Sequence, residues 1–184
     1  MKEFILFLFI GTLFLECTKE KSLDPVPPVI PVDTVTHIIE FGKATVKRNG
    51  PLWKAAFSAR YYSNQKARFY LEAELNENNY DHRFVISDIS AIPGYQTIEG
   101  KKWGNGNNSI PNADYFVTLH LDALINSFQV DSTRSNQFIE ILRYDSVQHI
   151  VEGRFQTFLE GPNNLWFLQD TVSLTEGKFH LKIQ

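Results

Sequence analysis

The chain has 184 residues with 18 lysines and arginines, 21 aspartates and glutamates, and a formal net charge of −3. This mild, mixed charge forms no electrostatic footprint for nucleic acid or anionic lipid head groups, so nucleic acid is not an expected partner. The sequence has one cysteine, Cys17, which excludes an internal disulfide and a zinc site built from several thiolates.

The chain begins with a short apolar segment. Residues 4–15 are apolar apart from Gly11 and Thr12, and Lys2 places one positive charge before them. A helix of that length rises about 18 Å, well short of the ~30 Å hydrocarbon core of a bilayer. The length is typical of a secretory signal peptide, and we predict one over residues 1–16.

The residues around Cys17 carry a resemblance. Leu13 to Cys17 resemble the lipobox of bacterial lipoproteins, in which the thiol takes a diacylglycerol and the cysteine becomes the new N-terminus. Glu16 stands where Gly or Ala is usual, but lipoboxes of the Bacteroidota are looser there. The next residues, TKEK, are similar to surface-export signals of that phylum. The resemblance implies lipidation of Cys17 and membrane attachment of an outer-membrane lipoprotein through its acyl chains; the alternative is an ordinary buried thiol in an uncleaved helix.

A proline-rich stretch follows the cysteine, with prolines at 25, 27, 28 and 31. Each proline fixes φ and restricts the preceding residue, which favours an extended polyproline-like chain. At ~3.1 Å per residue, residues 18–35 would form a spacer of up to about 50 Å. We therefore predict a lipidated cysteine and tether over 17–35, followed by a folded domain over 36–184.

From residue 36 onward the pattern is typical of strands. The segments are short, rich in β-branched and aromatic residues, and bounded by Asn, Gly, Asp or Ser. The last of them places Phe179, Leu181 and Ile183 on one face and three basic residues on the other. We predict an all-β domain, an antiparallel β-sandwich or a partly closed β-barrel of about nine strands, because an open sheet of that size would leave long edges.

Three dipeptides indicate hairpin turns. Asn49-Gly50 is a strong type I′ candidate, since both central residues must reach positive φ, and Asp145-Ser146 and Glu176-Gly177 are weaker examples. Residues 121–128 (LDALINSF) also allow one short helix.

The C-terminal third is similar to a known family. Residues 152–158 (EGRFQTF) and 172–179 (VSLTEGKF) resemble the paired "sGtFsf … v.iTdGkF" ending of Bacteroidota lipoproteins of unknown function. Residues 49–55 (NGPLWKA) are similar to the "vNGk.w.a" opening of the same domains. The resemblance implies an all-β lipoprotein domain and transfers no catalytic residue. We interpret the recurring Glu-Gly-basic steps as turns or bulges before strands and not as a repeat.

The sequence lacks catalytic and metal-binding motifs. The histidines at 37, 82, 120, 149 and 180 form no HExxH or HxH pattern, so no metal site is predicted. His120 is expected to be an ordinary strand residue on the face of Phe116 and Thr118. Asp88 and Glu140 have the most apolar neighbours among the acids, but strand alternation can equally turn them to solvent. No GxSxG is present. We therefore predict no catalytic residue, no cofactor and no enzymatic role.

The most individual segment is residues 99–114 (EGKKWGNGNNSIPNAD), with three glycines and four asparagines. It lacks the GK[ST] ending of a phosphate loop. An exposed tryptophan among asparagines can contact a glycan or a peptide, so the candidate binding loop comprises Trp103, Asn105, Asn107 and Asn108. The alternative is a plain hairpin connection.

These observations predict a lipid-anchored module of the cell envelope that binds a ligand or assists a partner. A lipocalin-like carrier of a small apolar ligand is the alternative, in which aromatic residues line a pocket and do not fill a core. A hydrolase is a third and weaker hypothesis, since it would need polar residues that converge in a cleft.

Overall fold

The structure is a computed structural model, and it describes residues 37–62, 65–100, 110–120, 123–162 and 170–184. The predicted signal peptide, Cys17 and the tether lie outside these ranges. Within them, no helix has the length and apolarity needed to cross a membrane.

The described residues form an all-β domain without helices, which confirms the predicted fold class. Ten strands are described: β1 Lys43–Arg48, β2 Ala56–Tyr62, β3 Gln65–Glu77, β4 Tyr80–Ser90, β5 Gly94–Thr97, β6 Asn112–Leu119, β7 Ala123–Val130, β8 Phe138–Asp145, β9 Ile150–Glu160 and β10 Thr171–Lys182.

The strands form one antiparallel sheet that is nearly closed and barrel-like. The order is β1-β10-β9-β7-β6-β4-β3-β2, with β8 also paired to β9, and β5 to β8. The residues after β10 reach β2, where the Gln184 N–H donates to the carbonyl of Ala59 at 2.9 Å and the Tyr61 N–H donates to the carbonyl of Gln184 at 3.0 Å. These bonds reduce the exposed backbone edge that an open sheet would present.

Large side chains fill the interior. Phe84 stacks on Phe155 with ring centroids 5.7 Å apart, and Phe155 packs against Phe179 at 6.4 Å. All three are almost fully buried. Burial of such a side chain contributes about 1.5–3 kcal/mol to stability, so this aromatic cluster is a main part of the core.

Two G-x-F motifs, residues 153–155 on β9 and 177–179 on β10, pack against each other. In the β9–β10 register, Gly153 lies opposite Phe179, and Phe155 lies opposite Gly177. A Cβ added at Gly177 would lie 2.5 Å from the Phe155 ring, and one at Gly153 would lie 2.5 Å from the Phe179 ring. Each glycine therefore leaves the space that the ring opposite occupies.

The Glu176-Gly177 hairpin prediction is wrong. The register shifts between Leu174 and Gly177, and Glu176 has a φ of 53°, so the dipeptide forms a bulge inside the continuous strand β10. Of the two interpretations given for this Glu-Gly segment, a turn or a bulge, the bulge is the one that forms. A residue with positive φ occurs both in tight hairpin turns and in some bulges, so the same dipeptide can indicate either.

The Asn49-Gly50 turn forms as predicted, whereas Asp145-Ser146 is not a two-residue type I′ turn, because neither residue has a positive φ. Asn49 and Gly50 have φ of 50° and 105°, as a type I′ turn requires, and the Arg48 N–H donates to the Pro51 carbonyl at 2.9 Å. The β8–β9 connection is longer than predicted, because it runs over residues 146–149. Within this connection, Oδ1 of Asp145 accepts hydrogen bonds from the backbone N–H groups of Val147 and Gln148.

The short helix allowed over 121–128 is wrong where the structure describes it. Residues 123–130 form β7, paired with β6. Every second residue of this strand is buried: Asn126, Phe128 and Val130. This burial on one face of the sheet favours a strand although the local sequence is compatible with a helix.

Candidate functional site

An open cavity of about 850 Å³ lies at one end of the barrel, where β1 and β3 end and β4 and β10 begin. Its walls combine apolar and polar side chains: Arg48, Asn49, Pro51, Leu52, Trp53, Lys54, Leu75, Asn76, Glu77, His82, Tyr115, Val117, Phe128 and Val172. The size is within the range of small-molecule sites in proteins.

The turn at Asn49-Gly50 builds one wall of this cavity. Asn49 is docked on β10, because its N–H donates to the Ser173 carbonyl at 2.9 Å and its Oδ1 accepts the Ser173 N–H at 2.7 Å. The chain then turns back, and the Trp53 N–H donates to the Val46 carbonyl at 2.8 Å. The turn thus holds Arg48 and Trp53 on the same wall.

A chain of hydrogen bonds crosses the cavity wall. Arg48 donates from Nη1 to Tyr115 Oη at 2.9 Å and from Nη2 to Glu77 Oε2 at 3.0 Å. Tyr115 Oη lies 2.8 Å from Nδ1 of His82. Because a guanidinium only donates, the tyrosine hydroxyl accepts from Arg48, and its own proton is available for the histidine nitrogen.

The charges in this network follow from burial. Burial raises the pKa of Tyr115 against the opposing effect of Arg48. Burial, and next the positive charge of Arg48, lower the pKa of His82. At neutral pH both side chains are therefore neutral. Arg48 and Lys54 remain as the cations of the cavity wall, against the single carboxylate of Glu77.

Trp53 is buried, with 5% exposure. Its ring packs against Tyr115 at 5.9 Å between centroids, and the Arg48 guanidinium lies 5.3 Å above it. The indole Nε1 is buried and has no hydrogen-bond partner among the described residues. A buried donor without an acceptor costs about 1–3 kcal/mol of stability.

The predicted binding loop cannot be placed on this cavity. Trp103, Asn105, Asn107 and Asn108 fall in 101–109, outside the described residues. The two sides of that loop meet at its base, where the Glu99 N–H donates to the Pro111 carbonyl at 2.9 Å.

The acids and the histidine that sequence analysis singled out are placed apart from the cavity walls. Glu140 faces Arg154 across the β8–β9 pair and accepts a hydrogen bond from its Nε at 2.5 Å. Asp88 is in β4 with a φ of 60° and accepts from Asn112 at 3.4 Å. His120 is exposed just after β6 with a φ of 50°, so its predicted position inside a strand is wrong.

The polar side chains of the site were not predicted from the sequence. Four residues from four strands, β1, β3, β4 and β6, are brought together by the nearly closed sheet: Arg48, Glu77, His82 and Tyr115. One sequence feature does indicate the site: the Asn49-Gly50 turn brings Arg48, just before it, close to Trp53, just after it.

Comparison with known proteins gave no relative. No protein-family model matches the chain, and searches of curated proteins and of solved structures gave no match either.

Proposed function

We propose that the protein is a binding module for a small ligand that combines an apolar body with an anionic or hydrogen-bond-accepting group. In this proposal it acts in the cell envelope on a lipid anchor and is not an enzyme. The observation that carries the proposal is the open cavity, in which Arg48, Tyr115 and His82 form a chain of hydrogen bonds beside the aromatic ring of Trp53.

The charge of the walls favours an anionic or acceptor group. Arg48 already contacts the carboxylate of Glu77, whose side chain is 46% exposed. Exposed ion pairs contribute about 0–1 kcal/mol, so a ligand carboxylate or sulfonate can replace Glu77 at little cost. Leu52 at the cavity wall is 60% exposed and offers an apolar contact to the rest of the ligand.

Anilinonaphthalene sulfonate is a suitable probe because it has two apolar rings and one anionic group. We expect saturable binding of one probe per chain, read from its fluorescence. Arg48→Met should weaken this binding by tenfold or more. Arg154→Met is the matched control, since it removes an arginine that pairs with a carboxylate outside the cavity. Thermal melts of each variant confirm that the fold is intact.

Equal binding to both variants would contradict the proposal. The second candidate, a lipocalin-like carrier of an apolar ligand, is favoured by the barrel-like fold together with the cavity volume of about 850 Å³. It predicts that the neutral dye Nile red binds as tightly as the sulfonate and that Arg48→Met leaves both affinities unchanged.

The anchor is tested separately from the cavity. Cys17→Ser in the native host should move the protein from the membrane to the soluble envelope fraction, because each buried CH₂ of an acyl chain contributes ~0.8 kcal/mol to membrane binding. A variant that stays membrane-bound would show that the apolar segment is a signal anchor and that the lipobox interpretation is wrong.

A further inference from the structure

Three side chains of metal-ligand type meet away from the cavity. Glu152 on β9 and His180 on β10 are opposite each other in the register, and His37 reaches them from the segment before β1. One nitrogen or carboxylate oxygen of each lies within 4.8 Å of the others. His180 pairs with Lys43 at the start of β1, whereas Arg48 of the cavity ends that strand, so the two sites are distinct.

The hydrogen bond that His180 makes leaves its Nε2 available as a metal ligand. His180 is 7% exposed, and its Nδ1 lies 3.2 Å from the carbonyl oxygen of Ile39. A carbonyl only accepts, so Nδ1 carries the proton of this hydrogen bond and Nε2 keeps its lone pair. Metal-binding histidines commonly donate their second ring N–H to a backbone carbonyl in this way, which fixes the tautomer and the ring.

The Glu152 carboxylate is also fixed in position by hydrogen bonds. Its Oε1 accepts the Ile38 N–H at 2.6 Å, and its Oε2 lies 2.8 Å from Nδ1 of His37. The glutamate side chain is 3% exposed and that of His37 is 46% exposed. The site thus has a buried carboxyl group on one side and is open to solvent on the side of His37.

We propose that His37, Glu152 and His180 bind one divalent transition-metal ion, with Zn²⁺ as the ion that this ligand set fits best. Two imidazoles and one carboxylate form a known three-ligand set for zinc, with a water molecule in the fourth position. Mg²⁺ and Ca²⁺ favour sites built mainly from oxygen ligands and do not fit.

Binding requires a small adjustment of His37. Ligand atoms at about 2.0–2.1 Å from a tetrahedral zinc lie roughly 3.3 Å apart, so the present cluster must contract. The His37 and His180 rings are stacked with centroids 4.5 Å apart, and His37 is the exposed member that can turn. The ion takes the place of the proton between His37 and Glu152, and it then ties the segment before β1 to β9 and β10.

The test is calorimetric titration of the full chain with Zn²⁺ alone, in a Cys17→Ser background that removes its one thiol. We expect one ion per chain and a rise in melting temperature with zinc. His37→Ala should weaken binding by about 100-fold or more, since even loss of a group that only orients a ligand costs 10–100-fold. His120→Asn is the control, because His120 is exposed and outside the cluster.

Visible absorption with Co²⁺ gives a second readout, in which the bands of a low-symmetry site should appear in the control and vanish in His180→Ala. If His180→Ala fails to fold, His37→Ala decides, because this side chain is largely outside the core. The proposal is overturned if zinc does not saturate the protein at millimolar concentration, if His37→Ala binds as tightly as the control, or if Ca²⁺ competes with Zn²⁺.

Discussion

Alanine at Gly153 should destabilise the protein strongly. The added Cβ would lie 2.4 Å from the backbone oxygen of Glu140 on β8 and 2.5 Å from Cζ of Phe179 on β10. Ordinary contacts of such an atom begin near 3.4 Å, so both neighbours must move by about 1 Å. One neighbour is backbone in a paired strand, and the other is a fully buried ring, so neither can yield easily.

Overpacking of a core costs about 1–3 kcal/mol, and with two such contacts we expect about 3 kcal/mol for Gly153→Ala. For a domain of this size the melting temperature should fall by roughly 6–12 °C, at about 2–4 °C per kcal/mol. Gly100→Ala is the matched control, because its Cβ would meet nothing closer than 3.7 Å. Urea unfolding measures both variants. A Gly153→Ala protein as stable as Gly100→Ala would refute the packing argument for the G-x-F pair.

The remaining predictions concern single side chains. Since burial and Arg48 lower the pKa of His82 below its usual 6.5, the native state resists protonation of this residue. The free energy of unfolding should then decline as the pH falls below about 6.5, with a smaller slope for His82→Asn in urea titrations at stepped pH. Tyr61→Phe removes a hydroxyl bonded to two partners at 2.7 and 3.0 Å and should cost about 1 kcal/mol, whereas Tyr95→Phe at an exposed position should cost nothing measurable. Trp103→Ala should leave the melting temperature unchanged and, if its loop binds a ligand, abolish binding on a glycan or peptide array; a large loss of stability would show that this tryptophan is core.

Local features were predictable from the sequence because they depend on neighbouring residues. The alternation in 178–183 and the positive φ of Asn49-Gly50 both follow from side-chain chemistry within a few positions. Glu176-Gly177 was misread because whether a positive φ makes a turn or a bulge depends on the strand opposite. That strand is β9, and its Phe155 needs the space above Gly177.

Both candidate sites depend on contacts between distant residues, which local patterns do not report. Arg48 and Tyr115 are 67 positions apart, and His37 and Glu152 are 115 apart. Motif spacing therefore predicted no metal site, although the fold gathers two of the five histidines around one buried carboxylate.

The place of β1 beside β10 has a consequence for folding in the cell. Strands β2, β3 and β4 follow one another in both sequence and sheet, so they can pair as soon as they are synthesised. The partner of β1 is made much later, since Lys47 and Glu176, which pair their side chains across the two strands, are 129 positions apart. At about 5–20 residues per second, β10 is synthesised on the order of ten seconds after β1, and until then only the local bonds to residues 51–53 pair the backbone of β1. During that interval the nascent chain exposes a strand edge that another chain can join, and its yield should depend on whatever shields that edge until β10 arrives.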